Sequence, residues 1–188
     1  MKGYTSRQEV ENYLLITIDA SFYDQIESWQ EQIEKHIDKL TGRNFVADDE
    51  ATEKSYDGDG TKTLLIDDCV SIDEIKINDK EIDEADYYLY PANETPKKKI
   101  VLAGTVFAKG NQNVTIKAKW GYSVEAPDDI KFAATVMVAG IINYSLNAEG
   151  ETQSESIGSY SVSYKNEKQW QDFDRIQAIL KYYKRYIF

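Results

Sequence analysis

The sequence predicts an α+β fold, mainly α: a helical bundle with an inserted antiparallel β-rich subdomain. Apolar residues recur every three or four positions towards both ends of the chain, as in amphipathic helices. Short β-branched runs separated by turn residues fill the middle. Because the flanking helices need each other to bury their apolar faces, we expect a single domain over 1–188. Its helical body covers 1–45 and 125–188, and its β-rich insertion covers 46–124.

Capping residues and periodicity predict the first two helices. In "TSRQEVENYLLI", Ser6 stands three residues before Glu9, which is a capping-box pattern for a short helix. Asp19 is a good N-cap for a long second helix, and Gly42 is a natural stop. The apolar stripe of this helix must pack on other helices. It comprises Phe22, Ile26, Trp29, Ile33, Ile37 and Leu40.

The β-rich insertion is predicted from short extended runs between turns. The strongest turn signal is "SYDGDGTKTLLI", where glycine reaches positive φ at little steric cost, so we expect a hairpin. Its spacing fits neither an EF-hand calcium loop nor a phosphate-binding loop. Further turns are expected at "NDKE" and "KGNQ". The segment "PANETPKKKI" is expected to be a loop with Lys97 to Lys99 at a solvated tip.

Two more helices are predicted after the insertion. In "APDDIKFAATVMVAGIINYSLN", Pro127, Asp128 and Asp129 suit a first helical turn, and the apolar run that follows predicts a buried helix. The polar segment 147–156 has the composition of a mobile loop, and "SYSVSY" predicts a strand or ribbon. The last helix has an apolar face formed by Trp170, Phe173, Ile176, Leu180 and Tyr183.

Composition excludes several classes of protein. The 188 residues include 33 acidic and 22 basic side chains, giving a formal net charge of -11. Such a surface repels nucleic acid at long range, so tight DNA binding is not expected. The charge is still compatible with an acidic wall around a DNA passage. Cys69 is the one cysteine and cannot form an internal disulfide. Without a signal peptide or a long apolar span, we expect a soluble protein that is cytoplasmic when made.

No arrangement of residues selects a reaction. The one histidine, His36, lies in the middle of the long helix, where a surface or edge position is the simpler interpretation. Three aspartate pairs are candidates for oxygen-ligated magnesium or calcium, but each also fits a loop, a strand end or a helix start. We therefore predict no enzyme activity, no catalytic or metal-binding residues and no cofactor. The pairs are Asp48-Asp49, Asp67-Asp68 and Asp128-Asp129.

Aromatic residues stand out instead. The chain has 14 tyrosines and three tryptophans, with a dense cluster in "KYYKRYIF". Tyrosine, tryptophan and arginine are enriched where proteins contact other proteins. Because adjacent Tyr182 and Tyr183 cannot both face the interior of one small domain, we expect at least one of them to need a partner or to stay exposed.

Several segments together resemble the head–tail connector (adaptor, or head completion) proteins of tailed bacteriophages and prophages. They are "HIDKLTGRNF", "YDGDGTKTLLI", "WGYSVEAPDDIKFAATVMVAGII" and "SESIGSYSVSYK" before the closing helix. These segments occur in the expected order over most of the chain. The β insertion is longer than the minimal pattern of the family.

The resemblance implies a structural virion protein that forms a ring, of twelve copies, between the portal vertex and the tail. The ring would extend the DNA channel and join head to tail. Implied partners are further copies of the chain, the portal protein and a tail-proximal head completion or stopper protein. Double-stranded DNA would pass without tight binding, no membrane would be involved, and the protein would be found in the virion and, during assembly, in the host cytoplasm.

The same resemblance directs attention to the polar ribbon and the aromatic-basic end as the surface that contacts the portal or a neighbour. The candidate interface residues are Ser154, Ser156, Ile157, Tyr160, Tyr164, Tyr182, Tyr183, Lys184, Arg185 and Tyr186. Two alternatives stay open. One is a small carboxylate- or metal-dependent hydrolase of phage origin, and the other is a monomeric β-type binding module that uses the Lys97 to Lys99 loop.

Overall fold

A computed structural model describes residues 2–146, 153–157, 160–164 and 167–185. The chain forms two compact units. Met1–Arg43 and Ala126–Phe188 make up one, here called the helical unit, and Asn44–Glu125 make up the other, here called the β unit. The predicted α+β fold class, with helices before and after an antiparallel sheet, is confirmed. That the two units act as one connector domain stays a prediction.

Four α-helices form the helical unit. They are α1 (Arg7–Leu14), α2 (Tyr23–Thr41), α3 (Asp128–Leu146) and α4 (Glu167–Tyr183). α2 contacts each of the other three, as its apolar stripe requires. Residues 133–140 of α3 are buried without interruption, which confirms the helix predicted to be apolar on all sides.

The predicted helix ends are largely confirmed. Ser6 and Glu9 form the reciprocal capping box of α1. Gly42 ends α2 with a φ of 67°, a left-handed conformation that glycine adopts without a Cβ clash. Asp19 caps a short 3-10 turn, Ala20–Phe22, and α2 begins only at Tyr23. The predicted N-cap therefore lies one turn before the α-helix that it was expected to start.

The predicted stripe of α2 is only partly buried. Ile26, Ile33 and Ile37 lie in the core, but Phe22 is 46% exposed, and Trp29 and Leu40 are half-buried. The stripe therefore packs on the other helices, as predicted, but it leaves part of its apolar surface uncovered by the described residues.

Polar side chains complete the buried face of α2. Glu34 is buried, and its carboxylate accepts hydrogen bonds from the backbone N–H groups of Lys2, Gly3 and Tyr4 at 2.7, 2.8 and 3.0 Å. The Gln30 amide donates to the Thr5 carbonyl at 3.1 Å. A buried carboxylate requires such donors, so Glu34 and Gln30 bind the N-terminal segment next to the isoleucines that lie in the core.

An antiparallel sheet forms the β unit, as predicted. Its strands are β1 (Thr52–Gly58), β2 (Thr63–Ile77), β3 (Lys80–Glu81), β4 (Tyr87–Tyr90), β5 (Lys97–Leu102) and β6 (Gly110–Trp120). The strand order is β1-β6-β2-β5-β4, and β3 pairs with β2. The predicted "NDKE" turn joins β2 to β3, and Asn78 and Asp79 both have positive φ there, as a two-residue hairpin requires.

The Asp57-Gly58-Asp59-Gly60 segment does not form the predicted hairpin: Asp57 and Gly58 end β1, and Asp59 and Gly60 begin the connection to β2. β1 and β2, which it joins, do not pair with each other, because β6 lies between them and pairs with both. The Gly58 N–H donates to Asn113 Oδ1 at 2.9 Å, and a Cβ at Gly58 would lie 2.0 Å from the Ala108 carbonyl oxygen. Glycine is thus required at position 58 because the loop that contains Ala108 approaches it closely. The sequence around Gly58 gives no sign of this approach.

The three lysines are also placed differently from the prediction. Lys97, Lys98 and Lys99 begin β5 instead of forming a loop tip. The Lys97 ammonium donates to the Pro91 carbonyl at 2.7 Å, and the Lys99 ammonium lies 4.7 Å from the centre of the Tyr90 ring. The lysine stems therefore cover neighbouring backbone and an aromatic ring.

A two-stranded antiparallel ribbon, β7 (Gln153–Ile157) and β8 (Tyr160–Tyr164), follows α3. It confirms the strand predicted for "SYSVSY", and β8 runs beside α3. Of the polar segment expected to be mobile, 147–152 lies outside the described residues, and 153–156 belongs to β7.

Candidate functional site

The predicted aspartate pairs do not come together as a reactive site. Asp48 and Asp49 are exposed. Asp67 forms an ion pair with Lys54, and its carboxylate lies 2.8 Å from the Lys54 ammonium. In the part of the chain that the structure describes, no three histidine, cysteine or carboxylate side chains are grouped as a metal site requires. None of the described helices has the length and hydrophobicity needed to cross a lipid bilayer.

The ion pair of Lys54 and Asp67 belongs to a polar cluster on the sheet. The Tyr56 hydroxyl accepts a hydrogen bond from the Asp67 backbone N–H at 3.2 Å, and the Lys54 ammonium lies 4.5 Å from the Trp120 ring centre. Burial raises the pKa of Tyr56 above its ordinary value, and the nearby Asp67 carboxylate adds to this. A tyrosine that keeps its proton and an aspartate neutralised by lysine stabilise the sheet, and they offer no nucleophile.

Cys69 is buried in the core of the β unit. Burial, and then the nearby Asp68 carboxylate, raise the pKa of its thiol from 9.0 to about 12. Because the thiolate is the reactive form, this cysteine is a small core residue and not a nucleophile.

The end of α4 is fixed to the ends of two other helices. Tyr183 is buried, and its hydroxyl donates to Asp129 Oδ1, at the start of α3, at 3.0 Å. Arg43 Nε donates to the Tyr183 carbonyl at 2.6 Å, which places a cation at the negative end of the α4 dipole. The Arg185 N–H donates to the Thr41 carbonyl at 2.7 Å, at the end of α2. Tyr183 and Arg185 therefore support the helical unit itself.

Tyr182 points away from these contacts. It is 80% exposed, and its ring meets the Tyr183 ring edge to face with 5.1 Å between centroids. This confirms that adjacent Tyr182 and Tyr183 cannot both be buried. Lys184 is exposed beside them, and Tyr186 lies outside the described residues. Of the candidate interface residues at this end, Tyr182 and Lys184 thus present free surface.

The candidate residues of the ribbon are placed by backbone register. Ser154 stands opposite Ser163, Ser156 opposite Ser161, and Ile157 opposite Tyr160 next to the connection between the strands. Tyr164 stands opposite Gln153. The ribbon brings these residues together, as the sequence order suggests, but it does not join them to the end of α4 in one described site.

Sequence reasoning missed an apolar groove of about 420 Å³ in the helical unit, here called the α2 groove. It lies beside the first half of α2. Its apolar lining includes Ile16, Ile18, Phe22, Trp29 and Ile142, and Asp19 and Gln25 also line it. The signal was present in the sequence, because Phe22 and Trp29 belong to the predicted stripe. An apolar surface that the described residues leave open is typical of a contact site.

Comparisons with known proteins give the fold and a family. A chain described as "Neck of empty GTA particle computed with C6 symmetry" is 11% identical, with a TM-score of 0.56 over 88% of this chain and 80% of that one. A chain described as "Neck of native GTA particle computed with C12 symmetry" is 13% identical, with a TM-score of 0.52 over 96% of this chain and 88% of that one. No curated protein sequence matches. A family model described as "Head completion protein" matches residues 4–186.

Proposed function

This chain belongs to the head completion protein family, and we propose that it forms a homo-oligomeric ring between the portal vertex and the tail of a virion. The ring extends the DNA channel and joins head to tail without enzymatic activity. The family match over 4–186 carries this proposal, since it spans nearly the whole chain and supports a structural role in head–tail connection. The similar fold of chains from particle necks agrees with it.

A ring fits the surfaces of the helical unit. A closed ring needs two different patches on each copy, one for each neighbour. The α2 groove is one such patch. We propose twelve copies, a number supported by the C12 symmetry with which the neck of the native GTA particle was computed.

The proposed contact with DNA is repulsive. Its support is the net charge of -11 and a group of exposed acidic residues that follows the turn between β2 and β3: Asp79, Glu81, Asp83, Glu84 and Asp86. Exposed Lys80 is the one basic residue among them, so the net charge of this group stays negative. An acidic wall would let the phosphate backbone slide without binding, because carboxylates repel phosphates and release none of their counterions. Retention of linear double-stranded DNA by the ring at about 150 mM salt, where the Debye length is about 8 Å, would contradict this part of the proposal.

The partners proposed are the portal protein on one side and a tail-proximal head completion or stopper protein on the other. Candidate contact residues are those of the ribbon, Ser154, Ser156, Ile157, Tyr160 and Tyr164, and those of the α4 end. At that end Tyr182 supports the proposal best, because an exposed tyrosine buries a large area on binding at a small entropic cost.

The oligomeric state under native conditions tests the ring. We expect sedimentation velocity and native mass spectrometry to show a closed oligomer, either for the protein alone or after the portal is added. If the chain stays monomeric in both cases, the ring is wrong.

Head–tail joining tests the α4 end. Removing all residues after Leu180 would be ambiguous, since it also removes the contacts of Tyr183 and Arg185 with Asp129 and Thr41. Tyr182→Ala is the cleaner change, because the side chain is exposed and its removal leaves those contacts in place. We expect fewer joined particles in a complementation assay with an unchanged helical circular dichroism signal. Normal joining would exclude Tyr182 from the interface.

A further inference from the structure

Within a single chain, the residues that the structure describes leave the α2 groove open although its walls are apolar. Ile16, Phe22 and Trp29 contribute much of the lining, and 46% of the Phe22 side-chain surface remains exposed. Leaving such surface in water is unfavourable, because burial of apolar surface is a main driving force of protein association. The groove therefore calls for a segment that supplies two or three large apolar side chains.

A segment of this composition follows the end of α4. Tyr186, Ile187 and Phe188 are three consecutive large apolar or aromatic residues, and they come directly after the exposed Lys184 and the fixed Arg185. The charges agree as well, since exposed Asp19 lines the groove and Lys184 precedes the segment. Residues 147–152 have a polar sequence, which does not match an apolar lining.

The segment is too far from the groove of its own chain. Its backbone departs near Thr41, because the Arg185 N–H donates to the Thr41 carbonyl. From Thr41 back to Trp29, the nearest α2 residue that lines the groove, α2 rises about 18 Å at about 1.5 Å per residue. Three residues span at most about 11 Å even when fully extended. The segment must therefore bind elsewhere, and an identical groove exists on every other copy.

We propose that residues 186–188 of each copy bind in the α2 groove of the next copy and so hold neighbouring subunits together. This inference rests on the proposed ring. Arg185, which precedes the donor segment, contacts the C-terminal end of α2, whereas the acceptor groove lies beside its first half, so each copy gives to one neighbour and receives from the other. Such a contact is heterologous, and a heterologous contact closes into a ring when the rotation between copies allows it.

Peptide binding tests the contact directly. The receptor is the chain with Tyr186, Ile187 and Phe188 all replaced by serine, so that no copy can fill the groove of another. The probe is a fluorescein-labelled peptide with the sequence of residues 181–188, followed by fluorescence anisotropy. We expect saturable binding, weakened at least about tenfold by Phe22→Asp, because an unpaired carboxylate in the groove opposes an apolar side chain.

The matched control for Phe22→Asp is Leu65→Asp, which puts the same charge at an exposed apolar residue of the β unit. This control receptor should bind the peptide as the serine variant does. Circular dichroism at 222 nm must show that both variants are folded. If the peptide does not bind, or binds equally to the Phe22→Asp receptor, the proposal is overturned.

Cross-linking tests the arrangement in the full chain. Gln25 is exposed and lines the groove, so Gln25→Cys combined with Ile187→Cys should form disulfides between copies on mild oxidation, and Cys69 is buried and does not compete. We expect a ladder of covalent dimers, trimers and larger species. Cross-linked dimers alone would indicate a reciprocal pair and would overturn the ring contact.

The two proposals fail differently. If the serine variant still forms the wild-type oligomer with wild-type stability, residues 186–188 do not hold neighbouring copies together. The ring is then formed through other surfaces of the chain. If the wild-type chain forms no oligomer alone or with the portal, the proposed function itself fails.

Discussion

Tyr182 and Tyr183 allow a matched comparison in which the same atom is removed from adjacent residues. Tyr183→Phe removes a hydroxyl that donates to the half-buried Asp129 carboxylate at 3.0 Å. Hydrogen bonds to charged groups contribute about 1.5–3 kcal/mol. Because Asp129 is not fully buried, we expect the lower part of this range, a loss of about 1.5–2 kcal/mol. Tyr182→Phe removes a hydroxyl that is already in water, so its effect should stay within about 0.5 kcal/mol.

Urea unfolding followed by circular dichroism at 222 nm measures the difference, because that signal reports mainly the helical unit. The chain has two compact units, so the transition must first be shown to be single, with an unchanged m-value in both variants. Equal losses for the two variants, or a larger loss for Tyr182→Phe, would refute the assignment of Tyr183 as the residue that fixes α4 to α3.

Three further predictions concern stability and reactivity. Gly58→Ala should cost about 2–4 kcal/mol, since its Cβ would clash with a backbone carbonyl, whereas Gly104→Ala, with nothing within 4 Å, should be nearly neutral by urea unfolding. Glu34→Gln should cost about 1–3 kcal/mol, because its carboxylate accepts three backbone N–H groups, and Glu31→Gln on the same helix should cost under about 0.5 kcal/mol. The raised pKa of Cys69, about 12 against 9.0, favours the folded state below pH 9 and loses that effect as the pH rises towards 12. At pH 8 Ellman's reagent should label Cys69 at least about 100-fold more slowly in folded than in urea-unfolded protein.

The sequence predicted well those features that depend on neighbouring residues. The capping box of Ser6 and Glu9, the stop at Gly42 and the turn at Asn78 and Asp79 all rest on local backbone conformation, and all three are present. The buried α3 was also predicted, because an apolar run without a polar side leaves no other choice.

What the sequence could not show depends on distant partners. The turn at Gly58 looked like a hairpin, since nothing in "SYDGDGTKTLLI" reveals that β6 enters between β1 and β2. Glu34 interrupts an apolar pattern and gives no sign that it binds the backbone of Lys2 to Tyr4. The α2 groove was hidden for a related reason: a stripe at helical spacing does not say whether the same chain or another one covers it.

The two ends of the β unit are joined to each other by backbone hydrogen bonds. The Tyr122 N–H donates to the Asn44 carbonyl and the Ala47 N–H to the Ser123 carbonyl, both at 2.8 Å, and Val46 bridges to Ser123 in parallel. A segment whose entry and exit are adjacent can be exchanged or enlarged as a cassette through two peptide junctions. Recombination could therefore give related chains β units of different length and specificity while the helices continue to assemble in the same way.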